Sequence, residues 1–370
     1  MRYLSLTCIF IILSLNSACS KDKKAPASAP HVINTIDSTK GLKDYYKTYF
    51  PIGVAVAPRS LTGAEGELIK REFNSLTSEN VMKPGLIHPK ENEYYWNDAD
   101  AIANFAVANK MKMRGHTLVW HQQTSNWIFT DAKGDTVTKA VLLERLKQHI
   151  TTVVSRYKGK IYGWDVVNEA IDDNNSRDYR ETPWYKICGE DFIIKAFEYA
   201  HAADPNAVLF YNDYSIEKPG KRERTLKFLK KLIDLKVPVN AVGIQGHWSI
   251  YDDNLEKDLR EAITLFSGLG LKVQITELDL SIHKGDHAAP ASGSPSAFTA
   301  ALEQKQAEQY RKIFQVLREN KNAITGVTFW NVTDRSSWLD NFPVKGRKDY
   351  PLLFDQNLKR KKAYWEVVKF

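Results

Sequence analysis

Short apolar runs alternate along the chain with stretches in which apolar residues recur every three or four positions. The short runs are Ile52–Val56, Ser75–Ser78, Met113–Leu118, Ile161–Val167, Val208–Tyr211, Ala241–Ile244, Val273–Thr276 and Ile324–Phe329. Their length and their β-branched and aromatic content predict strands. Between them Leu142–Tyr157, Phe192–Ala203, Thr225–Leu235, Leu255–Phe266 and Glu303–Glu319 carry helical periodicity, as does Tyr364–Val368 near the end. Eight strands, each followed by a helical stretch over roughly 330 residues, predict an α/β fold, a (β/α)8 TIM barrel in a single catalytic domain. Its loops are enlarged, and His287–Ser296, rich in Ala, Pro, Gly and Ser, forms a long one after the seventh strand. In such a barrel, reacting groups sit at the carboxyl ends of the strands.

What stands at those ends changes the picture. Ile161–Val167 runs into Asn168-Glu169, and Val273–Thr276 into Glu277-Leu278-Asp279. A lone Asn-Glu step reads as a helix cap or a surface acid. Two strand-terminal glutamates on one barrel face are what hydrolysis of a glycosidic bond needs: one acid to protonate the leaving oxygen, one carboxylate to attack or to activate water. The other ends are polar or aromatic as well. Strand two delivers Glu79, Asn80 and Lys83, and strand three His116, Trp120, His121 and Gln123. Strand five delivers Asn212, Asp213 and Tyr214, strand six Gln245 and His247, and strand eight Trp330. Taken singly, His116 or His247 reads equally as a satisfied core histidine, Asp213 as a helix cap and Trp330 as core. Their coincidence at seven strand ends favours a site.

Composition sharpens this only a little. The chain has 370 residues with 17 Tyr, 16 Phe and 9 Trp, enough flat apolar rings to serve both a large core and the C–H faces of sugars. A net charge of +8 is spread over scattered bases with no recognition motif, so nucleic acid is not an expected partner. The one dense run, Lys359-Arg360-Lys361-Lys362, is expected to be a solvated helix face.

Residues 1–18 open on Met1-Arg2, continue through the apolar Leu4–Leu15 and end in small residues, the pattern of an export signal too short to span a bilayer comfortably. Ser17-Ala18 before Cys19 resembles a bacterial lipobox, although Asn16 stands where an aliphatic residue is usual. Cys19 would then be lipidated and head a flexible Lys-, Ala-, Pro- and Ser-rich tether over 19–41, with the catalytic domain at 42–370. The expected location is outside the cytoplasm, held to the membrane only through that lipid, or secreted if the signal is simply cleaved. Once Cys8 leaves with the signal and Cys19 carries lipid, only Cys188 remains, so no intramolecular disulfide is expected and Cys188 reads as a core thiol.

The strand-end motifs together resemble glycoside hydrolase family 10. They are Thr77–Lys83, Arg114–His121, Trp164–Glu169, Tyr211–Tyr214, Gly243–His247, Ile275–Asp279 and Thr328–Trp330, in the family's order. The resemblance spans about Leu42 to Phe370 and implies a retaining endo-β-1,4-xylanase acting on xylan or xylo-oligosaccharides, with no metal and no other cofactor, as a monomer. It implies Glu169 as acid/base, Glu277 as nucleophile and Asn168 as the partner of the sugar 2-hydroxyl. By the same resemblance His247 binds Glu277 while Asp279 holds that histidine, and Gln245 supports Glu169. Glu79, Asn80, Lys83, His116, Trp120 and Gln123 would line the glycone side, Trp330 and Trp338 would roof it, and Tyr214 would face the aglycone. Two stretches depart from the pattern: His121–Trp127 differs from the usual His-Ser-Gln-Gln-Pro-Gly-Trp, and Asn331 stands where Gly is common. An endo-β-1,4-glucanase or mannanase on the same barrel, and a non-catalytic glycan-binding protein, are the alternatives; the last would be marked by loss of either glutamate.

Overall fold

A computed structural model describes residues 36–284 and 297–370. The expected export signal, Cys19, most of the expected tether and the expected loop His287–Ser296 lie outside the described residues. Nine parallel strands occur among those described: β1 (Ile52–Val56), β2 (Ser75–Ser78), β3 (Lys112–Val119), β4 (Gly163–Asn168), β5 (Val208–Asp213), β6 (Ala241–Ile244), β7 (His247–Ser249), β8 (Lys272–Ser281) and β9 (Ile324–Phe329). Neighbours run β6-β5-β4-β3-β2-β1-β9-β8, and β6 also pairs with β8, which closes the ring. Eight strands therefore make the barrel, and the short β7 extends it at one rim.

The strands are buried almost continuously because both faces are covered, one by the barrel interior and one by helices. The main helices are α1 (Gly63–Glu72), α2 (Asn97–Ala108), α3 (Lys139–Arg156), α4 (Asp191–Ala203), α5 (Lys221–Asp234), α6 (Leu255–Gly268), α7 (Ala300–Glu319) and α8 (Lys362–Val368). Each turns one apolar stripe inward; in α3 it is Leu142, Leu146, Ile150, Val153 and Val154. Local chemistry sets their starts: the hydroxyls of Thr138 and Thr299 accept from Val141 and Leu302 N–H groups at 3.4 and 3.3 Å, capping α3 and α7.

Two expectations need correcting. Glu277 was expected at a strand end, but β8 continues to Ser281 because its second half pairs with β7, His247 opposite Asp279. The backbone at Glu277 is instead marked by register shifts between β8 and β9, from Ile275 to Leu278. Such irregularity re-aims side chains at a barrel rim. The run Lys359–Lys362 is not simply solvated. Lys359 and Lys362 are exposed, but Arg360 reaches Glu72 Oε1 at 2.8 Å and the carbonyls of Ser38 and Lys40 at 2.7 Å. Lys361 is buried, 2.9 Å from Asp334 Oδ2 and 2.7 Å from the Tyr350 carbonyl. Chain reversal before α8 carries these two bases inward, where carboxylates meet them.

Glu72, fully buried at the end of α1, is the knot of that region. Besides Arg360 it takes the Leu42 N–H at 3.0 Å and the Tyr364 hydroxyl at 3.0 Å, tying both ends of the described chain to one helix. Glu72→Ala should cost about 3 kcal/mol, since it strands buried donors that only a carboxylate satisfies. A urea titration should show the midpoint falling while activity at 25 °C stays intact; an unmoved midpoint would mean that water replaces the carboxylate.

Candidate active site

Asn168 is the last residue of β4, and Glu169 follows it in a left-handed conformation, φ 57°. A non-glycine residue there is strained by roughly 1–3 kcal/mol and persists only where its surroundings hold it. Its own N–H donates to the Asn212 carbonyl at 2.9 Å, so β5 receives the turn. The residue is buried, 7 % exposed, and its carboxyl group accepts three donors. Trp120 Nε1 donates to Oε2 at 2.8 Å, while Gln245 Nε2 and Asn168 Nδ2 donate to Oε1 at 3.0 and 3.2 Å. Burial pushes the Glu169 carboxyl up to about 7, with the charge of nearby Asp213 acting in the same direction; Gln245 and Trp120 pull it back only in part.

Glu277 is also buried but has different company. Its Oε1 accepts from Asn212 Nδ2 at 2.8 Å and its Oε2 lies 3.3 Å from His247 Nε2. His247 Nδ1 is 2.9 Å from Asp279 Oδ2, which also accepts Trp338 Nε1 at 2.8 Å. Burial alone would raise the Glu277 carboxyl. The electrostatic influence of His116, followed by the hydrogen bond and charge of His247 and by Arg114, overcomes it and lowers the group to about 2. Burial opposes the charge on His247, but Asp279 and Glu277 on its two nitrogens hold its proton and lift it to about 10. One carboxyl is thus protonated near neutrality while the other is ionised, the division of labour that acid catalysis beside a carboxylate requires.

Asn212 of β5 joins the two halves. Its Oδ1 accepts the Thr276 hydroxyl at 2.6 Å, and the Glu277 carboxylate, which when ionised can only accept, fixes which end of the amide is which. Its Nδ2 then donates both to Glu277 and to Asn168 Oδ1, each at 2.8 Å. The amide needs room: a Cβ at Gly243 of β6 would lie 2.2 Å from Asn212 Oδ1. Behind Glu277, Arg114 pairs with the buried Asp165 and gives a second hydrogen bond to the Thr276 carbonyl at 2.9 Å, and His116 Nδ1 lies 2.8 Å from the same Asp165 oxygen.

Most residues expected at the site are brought together. Lys83 is buried, 2.8 Å from Asn80 Oδ1 and 4.9 Å from the Trp120 ring, and Glu79 is buried on the same loop. The ring of Trp330 meets His116 edge-on at 5.2 Å and Trp338 lies 4.9 Å from His247. Tyr214 receives Arg180 Nη2 at 2.9 Å and donates to Asp173. Gln123 is exposed at φ 45°, where its carbonyl accepts the Gly85 N–H at 2.6 Å. Asn331 sits at φ 101°, a region that glycine adopts without strain, which accounts for glycine being usual there. Sequence reasoning missed the roles of Asn212, Arg114, Asp165 and Arg180. For Arg114 and Asp165 a signal existed, since a charge inside an apolar strand must find a partner; for Arg180, in a loop, none did.

A closed parallel barrel with two buried carboxyls of opposite protonation at its mouth defines a glycosidic-bond hydrolase. The chain belongs to glycosyl hydrolase family 10, whose sequence model matches residues 41–370. It is 47 % identical over 323 residues to endo-1,4-beta-xylanase B of Paenibacillus barcinonensis, covering 87 % of this chain and 96 % of that one. A beta-1,4-xylanase of Dictyoglomus thermophilum is 45 % identical over 369 residues, 100 % and 99 % of the two chains. The crystal structure of xylanase XynB from Paenibacillus barcinonensis, complexed with a conduramine derivative, superposes with a TM-score of 0.86 at 45 % identity, covering 90 % of this chain and 98 % of that one.

Asn212→Asp should put a second carboxylate against Glu277 in place of a donor. The Glu277 carboxyl is then expected to titrate at least about one pH unit higher, as like charges at hydrogen-bond distance demand. Carbon-13 NMR of glutamate-labelled protein would read this, with Glu277→Gln identifying the resonance; an unshifted titration would remove Asn212 from the account of Glu277.

Proposed function

We propose that this chain is an endo-1,4-β-xylanase that cleaves internal xylosidic bonds by double displacement, with Glu277 as nucleophile and Glu169 as acid/base. The observation that carries the assignment is the unlike company of the two buried carboxyls: Glu169 takes only neutral donors and is pushed up to about 7, while Glu277 lies against His247 and is held down to about 2. Ionised Glu277 attacks the anomeric carbon while protonated Glu169 hands its proton to the departing oxygen. Glu169, now ionised, takes a proton from water, which displaces Glu277 from the face the leaving group vacated, so configuration is retained. His247 holds one oxygen of Glu277 and leaves the carboxylate its charge until attack. Xylan as substrate is supported by the relatives, which are named xylanases at 44–47 % identity. Trp330 and Trp338 above the histidines are rigid enough to occupy the space that the C5 hydroxymethyl of glucose would need. Steric discrimination of that size is worth about 1–3 kcal/mol per subsite, so some cleavage of activated cellobiosides is expected.

The same reading extends to the N-terminus. The charged start, the apolar run and Ser17-Ala18 before Cys19 support export and a lipid on Cys19. Expression of the full chain in a bacterium fed radiolabelled palmitate should label it, and Cys19→Ser should abolish the label; an unlabelled wild type rejects the anchor.

Two variants test the chemistry. Glu277→Ala should lose turnover on every substrate by about four orders of magnitude or more, since no glycosyl-enzyme forms. Glu169→Ala should still form that intermediate from aryl xylobiosides with good leaving groups, should lose the alkaline limb of kcat/KM near pH 7, and should yield a β-xylobiosyl azide when azide is added. The sign of that limb follows from the raised carboxyl: the working, protonated form exists below about 7 and vanishes above it. Identical responses of the two variants to leaving group and azide would refute the assignment, and wild-type preference for aryl cellobioside over aryl xylobioside would make the enzyme a glucanase.

A further inference from the structure

Strained residues that carry reacting groups must be held, and the clamp on Glu169 lies on β5. The two amides that follow Glu169, Ala170 N–H and Ile171 N–H, both donate to the hydroxyl of Tyr211, at 3.2 and 3.1 Å. That hydroxyl donates in turn to Asp213 Oδ2 at 2.5 Å. A phenol has one proton and two acceptor positions. Both acceptor positions are free for the amides only because the proton is committed to Asp213; burial pushes the Asp213 carboxyl up, and Lys221 Nζ at 2.9 Å and the Tyr214 N–H at 2.8 Å, both on Oδ1, work against that push. From the other side Arg180 Nε donates to the Glu169 carbonyl at 3.2 Å. Tyr211 and Asp213 are fully buried, so no water competes for these positions.

We propose that Tyr211, oriented by Asp213, is a positioning residue for the acid/base: it fixes the left-handed turn that aims the Glu169 carboxyl at the leaving-group oxygen. The inference rests on Glu169 being the acid/base. Tyr211 touches neither substrate nor the carboxyl itself; it acts on the two peptide groups beyond the turn. Asp213 and Glu277 also help keep the Glu169 proton in place, whereas the Lys83 ammonium facing that carboxyl favours its loss; Tyr214 faces it as well. Tyr211 and Asp213, two residues apart on β5, thus bear on both the orientation and the proton affinity of the acid.

Tyr211→Phe removes the acceptor and keeps the ring in the core. In the full chain, misaim of the acid by a fraction of an ångström should lower kcat/KM roughly 10–100-fold on aryl xylobiosides with poor leaving groups and on xylan. Dinitrophenyl xylobioside, which needs no protonation, should change less than about threefold. The concentration of working sites is counted by stoichiometric trapping with a dinitrophenyl 2-deoxy-2-fluoroxylobioside, which requires only the nucleophile, so misfolded protein is excluded from the rates. A uniform loss on good and poor leaving groups per trapped site, or no loss on either, overturns the proposal while leaving the role of Glu169 intact. If Glu169→Ala itself shows no dependence on leaving group, the acid/base assignment falls first and Tyr211 with it.

Discussion

One amide decides the polarity of the whole site. The ionised Glu277 carboxylate can only accept, so it takes the Asn212 NH2, which also reaches Asn168, and Asn212 Oδ1 is left to accept the Thr276 hydroxyl at 2.6 Å. Asn168 must then present its own oxygen to Asn212 and its own NH2 to Glu169. Each orientation forces the next, from β8 through β5 to β4, and reversing any one would set two acceptors against each other in a buried site. The two carboxyls are thus joined by a relay of neutral donors that carries no charge between them. Each is left to be tuned by what lies on its far side.

Those far sides differ by construction. Glu277 faces His116, His247 and Arg114, whose electrostatic influence favours its charge, while Glu169 faces the carboxyl of Asp213 and the Trp120 indole N–H. The barrel interior makes the first possible. Arg114 and Asp165 are both buried, an expensive arrangement that is tolerated because each is hydrogen-bonded further, to the Thr276 carbonyl and to His116. The same pair therefore closes the core of the barrel beneath the site and stations positive charge behind the nucleophile. Asp279 does the corresponding work at the rim, where it holds both His247 and the Trp338 indole and so couples the charge state of the histidine to the placement of the roof.

The architecture explains why these groups meet at all. Parallel strands in a closed ring deliver their ends to one face, and the bulged registers of β3, β4 and β8 near that face turn side chains that would otherwise alternate in and out. The extension of β8 along β7 brings His247 level with Asp279, an alignment that depends on strand pairing.

Much of this was legible in the chain itself. The alternation of apolar runs and helical periodicity is a local property, so β1, β2, β6 and β9 coincide residue for residue with the runs read from sequence. Strand-end chemistry is local too, and Glu169, Glu277, Asn168, His247 and Gln245 could be named from their places after such runs. What the chain could not disclose is anything that depends on neighbours distant in sequence. Asn212 looked like one polar residue in a turn until closure of the barrel set it between β4 and β8. Arg360 and Lys361 looked like surface bases until the return of the chain placed Glu72 and Asp334 against them. Local pattern determines which residues reach the mouth of the barrel. Which of them stays charged, which is protonated and which merely holds another depends on burial and on pairings across the ring, and these exist only once the ring is closed.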